Sequence, residues 1–144
     1  MTATTILTAP AINPAPARRS NGTQIRRTGA VAGLVASVAT STTAAVASAL
    51  DVSLKVSGQA IPVLGFAQLT FVAAIIGTVI AVVMSHRAGR PRHTFVTTAL
   101  ALTALSIVPD VTADAQTATK LVLALTHLVA AAIVIPALAS RLTD

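Results

Sequence analysis

The stretch FVAAIIGTVIAVVM, residues 71–84, decides the fold of this chain, because it is almost entirely apolar and holds no charge. With its apolar flank it predicts a helix over residues 62–84, and about 20 such residues cross the hydrocarbon core of a bilayer. Three further apolar stretches predict helices over residues 28–50, 94–112 and 119–140. We therefore expect an all-α integral membrane protein with four transmembrane helices.

Composition supports this class. The chain is 54% hydrophobic and 10% charged, with a mean hydropathy of +0.82, whereas soluble domains carry about 25% charged residues. Four spans use about 80 of the 144 residues, which leaves no room for a separate soluble domain. We expect one membrane domain over residues 28–144 and a disordered, basic cytoplasmic tail over residues 1–27, which is polar and proline-containing.

The first and third spans are the weakest. Several Ser and Thr side chains dilute the first, and the third is short unless its helix continues a turn past Pro109. An alternative for the first is a cleavable signal peptide, with Arg26-Arg27 before the apolar stretch and the small triplet Ala47-Ser48-Ala49 after it. The apolar stretch is longer than a usual signal core, and its removal would leave three spans. We therefore expect the first span to be retained.

The basic residues set the predicted orientation. Eight of them fall in the tail, the second loop and the C-terminus: Arg18, Arg19, Arg26, Arg27, Arg87, Arg90, Arg92 and Arg141. Lys55 and Lys120 fall in the other two loops. Because cytoplasmic loops are enriched in Lys and Arg, this pattern predicts an antiparallel up-down bundle in the plasma (bacterial inner) membrane with both termini cytoplasmic.

Polar residues inside the spans are the candidate functional site. His127 lies about eight residues into the fourth span, and an ionisable residue at membrane depth is a functional hypothesis by default. Gln68, Ser106 and Asp110 are expected at similar depth, so the four side chains form a candidate polar cluster. An Asp beside a His would fix the tautomer of the ring, as a proton relay or a binding site requires. The alternative is a structural hydrogen bond between helices.

Small residues recur every four positions in the first span, at Gly29, Gly33, Ser37, Ser41 and Ala45. Small residues on one face let helices approach closely in lipid. The stripe predicts a packing face, either inside the bundle or against a second copy or another membrane protein, and the alternative is that the Ser and Thr side chains of this span line a polar cavity.

Arg26, Arg27, Arg87, Arg90 and Arg92 flank the apolar stretches, so we interpret them as topology anchors that contact anionic lipid headgroups. No RNA-binding motif accompanies them, and no nucleic-acid partner is expected. The sequence has no cysteine, and one His and one Asp are too few ligands for a zinc site. We expect no metal, no cofactor and no enzymatic activity.

The basic tail, the four spans, SIVPD at the end of the third span and LTHLVAAAIVIPALASRL in the fourth are similar to small actinobacterial membrane proteins grouped as DUF6069, a family of unknown function. The resemblance covers about residues 25–142 and implies a four-helix membrane protein, without a reaction or ligand. In size the chain also resembles small multidrug-resistance transporters, but those use a Glu in their first helix and this chain has no Glu.

Two functions remain open at this point. The first is a non-enzymatic accessory component that acts through helix–helix contacts. The second is a small transporter or ligand-binding membrane protein that uses Gln68, Asp110 and His127.

Overall fold

The computed structural model describes residues 22–144. Each of its four helices is long and apolar enough to cross a membrane, which confirms the predicted all-α class and the four candidate spans. The elements in chain order are α1 (Gly22–Ala49), β1 (Lys55–Val56), β2 (Gln59–Ala60), α2 (Val63–Arg87), α3 (Pro91–Thr112) and α4 (Thr117–Ala139).

Helix α1 begins at Gly22, before the start predicted at residue 28. Arg26 and Arg27, which the sequence analysis placed in the tail, therefore lie in the first turns of the helix. Hydropathy marks where a chain enters lipid, but a helix continues past that level wherever its residues, such as Arg, favour it. The rest of the predicted tail, with Arg18 and Arg19, lies outside the described residues.

Helix α3 runs through Pro109 and ends at Thr112, where the sequence analysis ended the third span. A proline inside a helix lacks an N–H donor, which is tolerated where the freed group finds another partner or lies close to the helix end. The last turn closes normally here, because the backbone N–H of Ala113 donates to the carbonyl of Pro109 at 2.8 Å.

The helices form one bundle. Helix α1 packs mainly against α2 and α4, and α3 packs against α4 and α2, so that α2 and α4 separate α1 from α3. Helix α3 is the least covered of the four, and Phe95 is its one fully buried residue.

The contact between α1 and α2 uses the small-residue stripe. A Cβ at Gly29 would lie within 3 Å of three side-chain atoms of Thr78, and a Cβ at Gly33 would lie 2.9 Å from the Cβ of Ala74. Ser37 donates from its hydroxyl to the carbonyl of Ala67 at 3.1 Å. Further along, the hydroxyls of Thr40 and Thr70 are 2.9 Å apart. From Gly29 to Ser37 on α1, the contacted positions on α2 run backwards from Thr78 to Ala67.

In the second half of α1, the small residues of the four-residue repeat no longer lie in the interface with α2. Ser41 is half-buried and Ala45 is exposed, whereas Thr40 and Ala44 are fully buried. Four residues advance a helix by about 400°, since a turn takes 3.6 residues. A strict four-residue repeat therefore drifts by about 40° per step, and the buried face moves to positions spaced three or four apart.

One end of the bundle is closed by a group of buried residues that we term the Phe95 cluster: Ile25, Ala81, Phe95, Leu138, Ala139 and Leu142. The C-terminal residue Asp144 lies at this end, where its Oδ1 accepts the backbone N–H groups of Arg92 at 2.9 Å and His93 at 3.2 Å.

The opposite end carries the short β1–β2 hairpin, which the sequence analysis did not predict. Ser57 and Gly58 have φ values of 51° and 77°, and two successive positive φ values are typical of the tightest hairpin turns. The backbone N–H of Ser57 donates to the carbonyl of Asp114 at 2.8 Å. The hairpin is thereby tied to the connection between α3 and α4.

Candidate functional site

His127 and Asp110 meet between α3 and α4. The connection over residues 113–116 is short, so the C-terminal turn of α3 and the first turns of α4 are neighbours. His127 Nδ1 lies 3.0 Å from Asp110 Oδ2. This is the one ion pair within residues 22–144.

The two polar atoms of this contact differ in whether they have a further hydrogen-bond partner. His127 Nδ1 also lies 3.0 Å from the carbonyl oxygen of Leu123, one turn earlier, and that carbonyl accepts the Thr126 hydroxyl at 2.7 Å as well. Asp110 Oδ2 is buried and receives no well-aligned hydrogen bond from any described residue. His127 Nδ1 therefore forms a hydrogen bond with Leu123 and a short polar contact with Asp110.

A cavity of about 400 Å³ opens beside the pair on the side of the hairpin, and we term it the hairpin-side cavity. Asp110 and His127 supply its ionisable groups, and Thr70 and Thr126 supply hydroxyls. The rest of its wall is apolar: Val56, Ile61, Phe66, Leu69, Ala73, Pro109, Ala113, Leu123 and Ala130.

A second cavity, of about 280 Å³, continues toward the Phe95 cluster between α2, α3 and α4, and we term it the Phe95-side cavity. It shares Ala73, His127 and Ala130 with the first. Together they form one crevice with the imidazole of His127 at the junction. The crevice is apolar at both ends and polar near its middle.

The structure brings three of the four predicted cluster residues to this crevice. Ser106 lines the Phe95-side cavity together with His127, although its hydroxyl donates within α3 to the carbonyl of Thr103 at 2.7 Å. Gln68 is exposed and lines neither cavity. It lies two residues from Phe66, about 200° around α2, and so faces away from the pair.

Two threonines of the crevice were missed in the sequence analysis. Thr70 and Thr126 line the hairpin-side cavity, and Thr126 is almost completely buried. Their signal was weak, because threonine is common throughout these spans. Only the position of Thr126 directly before His127 distinguishes it.

The other predicted residues lie elsewhere. Gly29, Gly33 and Ser37 are buried against α2, and the hydroxyl of Ser41 is buried without a hydrogen-bond partner in the described chain. The five predicted lipid-contacting arginines are all exposed at the end of the bundle that holds the Phe95 cluster: Arg26, Arg27, Arg87, Arg90 and Arg92. Residues 22–144 hold no group of three or more His, Cys, Asp or Glu placed to bind a metal ion.

No curated protein and no solved structure shows significant similarity to this chain. A family model described as a family of unknown function, DUF6069, matches residues 20–144. The match includes all four helices, the hairpin and the Asp110–His127 pair, and the chain therefore belongs to the DUF6069 family.

Proposed function

We propose that the chain is a multi-pass protein of the plasma membrane, with helices that alternate in direction and both termini in the cytoplasm. The distribution of charge supports this orientation. All six arginines of residues 22–144 belong to helix ends and connections at the Phe95 end, whereas Lys55 and Lys120 belong to the hairpin end. The more basic end of a membrane protein faces the cytoplasm.

We further propose that the crevice binds a small amphipathic molecule. The observation that carries this proposal is Asp110, which lines the hairpin-side cavity and whose buried Oδ2 has a short contact with His127 Nδ1 but no well-aligned hydrogen bond. A buried acceptor left without a partner costs about 1–3 kcal/mol. A ligand hydroxyl or amine that donates to this oxygen recovers that free energy.

The wall of the crevice defines the remainder of the ligand. Most of its residues are apolar, and ligand pockets typically combine such walls with a few placed polar groups. The ligand thus needs an apolar body and one hydrogen-bond donor at its end. Binding of such a ligand in the crevice would be the first step of transport, and it would also be the first step of sensing or of storage.

An accessory role through helix contacts is the second candidate, and helix α3 favours it. Large apolar side chains along α3 are exposed: Leu100, Leu102, Leu105, Val108 and Val111. A helix of a partner protein would cover this face in place of lipid. This role needs no ligand in the crevice, so a ligand-binding experiment separates the two candidates.

The test uses two fluorescent probes of nearly equal size, 1-naphthalenemethanol and its methyl ether, which lacks the hydroxyl donor. The protein is placed in phosphatidylcholine nanodiscs, and empty nanodiscs give the background. We expect the alcohol to bind about ten- to hundredfold more tightly than the ether, since a hydrogen bond to a charged group contributes roughly 1.5–3 kcal/mol.

Asp110→Leu should abolish this preference, and Ala73→Leu should weaken both probes by filling the crevice. Val108→Leu, on the exposed face of α3, is the matched control and should bind like the wild type. Equal binding of the two probes to the wild type, or an unchanged preference in Asp110→Leu, would overturn the proposal.

A further inference from the structure

A groove of about 540 Å³ runs between α1 and α4. It begins at the basic end of the bundle and extends along α1 from Arg27 to Val35. Eight residues of helix correspond to about 12 Å. The groove therefore reaches from the end of the bundle well into the apolar part of α1.

The mouth of the groove is polar and positively charged. Arg27 and Gln24 line it from α1, and Arg141 lines it from the residues that follow α4. Arg141 Nε donates to Thr28 Oγ1 at 3.1 Å, which holds the second guanidinium at the same groove as the first. Two cations from different chain segments therefore line the same groove.

Neither guanidinium is neutralised by a carboxylate of the described chain. The one ion pair within residues 22–144 is the distant His127–Asp110 pair. Asp144 is the acidic residue of this end, and its Oδ1 is occupied by the backbone N–H groups of Arg92 and His93. The mouth therefore keeps a charge that an anion would balance.

The floor of the groove is apolar. Val31 and Val35 are each more than half exposed, and Ile133 and Ala137 face them from α4. A hydrocarbon chain that lies along the helices would cover this apolar surface. A free inorganic anion would contact the mouth alone and leave the floor uncovered.

We propose that this groove is a binding site for one anionic phospholipid, whose phosphate lies between Arg27 and Arg141 and whose acyl chain lies over Val31, Val35 and Ile133. Guanidinium groups bind phosphate through paired hydrogen bonds. The site is separate from the crevice, because it lies on the α1–α4 side and at the opposite end from Asp110. Its occupant would link the first helix to the last.

Native mass spectrometry tests the site on the full chain. The detergent-solubilised protein is incubated with phosphatidylglycerol and phosphatidylcholine of identical acyl chains. We expect the wild type to retain phosphatidylglycerol several-fold more than phosphatidylcholine. The double variant Arg27→Gln/Arg141→Gln should lose this preference, while Lys55→Gln/Lys120→Gln, with the same change of charge at the hairpin end, should keep it.

Three results would overturn the proposal: no preference in the wild type, equal loss in both double variants, or displacement of the lipid by millimolar inorganic phosphate. The last would identify a free-anion site. If the glutamine pair does not fold by circular dichroism, Arg27→Lys/Arg141→Lys decides the question. That variant keeps the charge but loses the paired hydrogen bonds, so an intermediate preference is expected, and an unchanged one counts against the site.

Discussion

His127 and Asp110 form one short contact, but only His127 also has a well-aligned hydrogen bond, to the carbonyl of Leu123. That the two would be neighbours was predictable, because His127 falls early in one span and Asp110 late in the preceding one. Whether His127 Nδ1 would form its hydrogen bond with Leu123 or with Asp110 was not predictable, because that depends on the rotation of the ring. Gln68 was predicted to join the cluster from its depth in the membrane alone, and depth does not determine which face of a helix a residue occupies.

Removing one member of the pair should cost more than removing both. His127→Leu leaves the Asp110 carboxyl group without its nearest polar neighbour, so we expect the free energy of unfolding of this variant to fall by about 1–3 kcal/mol. Asp110→Leu/His127→Leu leaves no unpaired charge and should lie close to the wild type, because apolar residues often replace a buried ion pair without loss.

Denaturation followed by circular dichroism in the same detergent measures both variants. Asp110→Leu alone completes the double-mutant cycle. A double variant that is less stable than either single variant would contradict this interpretation, since the two side chains would then stabilise the bundle independently.

Helix α1 shows how far a motif can predict packing. The stripe indicated close helix contact, and Gly29, Gly33 and Ser37 do face α2 at short range. The same repeat failed at Ser41 and Ala45, because a four-residue spacing rotates steadily around the helix. The partner helix was left open by the sequence, since small residues are compatible with any close neighbour.

Gly29→Ala should destabilise the α1–α2 contact. The new methyl group would meet the Thr78 side chain at less than 3 Å, and overpacking of this kind costs about 1–3 kcal/mol. Gly77→Ala is the matched control in a neighbouring helix, where the nearest atom to the added Cβ is 3.9 Å away.

Thermal unfolding of both variants in detergent is the measurement. The control should equal or exceed the stability of the wild type, since alanine favours helix over glycine by up to about 1 kcal/mol. Gly29→Ala combined with Thr78→Gly should recover most of the loss. A stable Gly29→Ala would show that α1 and α2 can separate at no cost.

The start of α3 depends on a residue far away in sequence. Pro91 occupies the first position of the helix, so Arg92 and His93 carry the next two unpaired N–H groups, and Asp144 Oδ1 accepts both. A carboxylate at this end also opposes the positive pole of the helix. The pairing was invisible in the sequence because no local motif joins residues 92 and 144.

Asp144→Ala should loosen the first turn of α3. Loss of an N-terminal cap costs about 0.5–2 kcal/mol, so the amides of Arg92 and His93 should exchange hydrogen several-fold faster. Hydrogen–deuterium exchange in detergent reports this directly. The amides near Thr78, in the middle of α2, are the internal control, and equal acceleration there would indicate global destabilisation in place of a lost cap.

At the scale of the molecule, the sequence predicted most of the architecture. Hydropathy gave four helices to within a few residues at most ends, because crossing a bilayer requires long apolar stretches. It gave neither the β1–β2 hairpin nor the groove between α1 and α4. Both arise from contacts between residues distant in sequence, such as Ser57 with Asp114 and Thr28 with Arg141.

The proposed orientation is directly testable, because the chain has no cysteine of its own. Gln59→Cys in the hairpin should react with a membrane-impermeant maleimide in intact cells. Gly89→Cys, at the opposite end and with open space around its Cα, should react only after the membrane is permeabilised. The reverse pattern would place both termini outside the cytoplasm, and labelling of both in intact cells would contradict four spans.

The Phe95 cluster has a consequence for movement along the bundle axis. The crevice reaches Phe95 and stops there, against side chains contributed by all four helices and the C-terminal segment. In this conformation the Phe95 cluster bounds the crevice at that end. A solute held beside His127 would reach the arginine-rich end along the bundle axis only after Phe95 moves out of the cluster. Phe95 belongs to α3, the least covered helix, so movement of α3 would be the step that converts binding into transport.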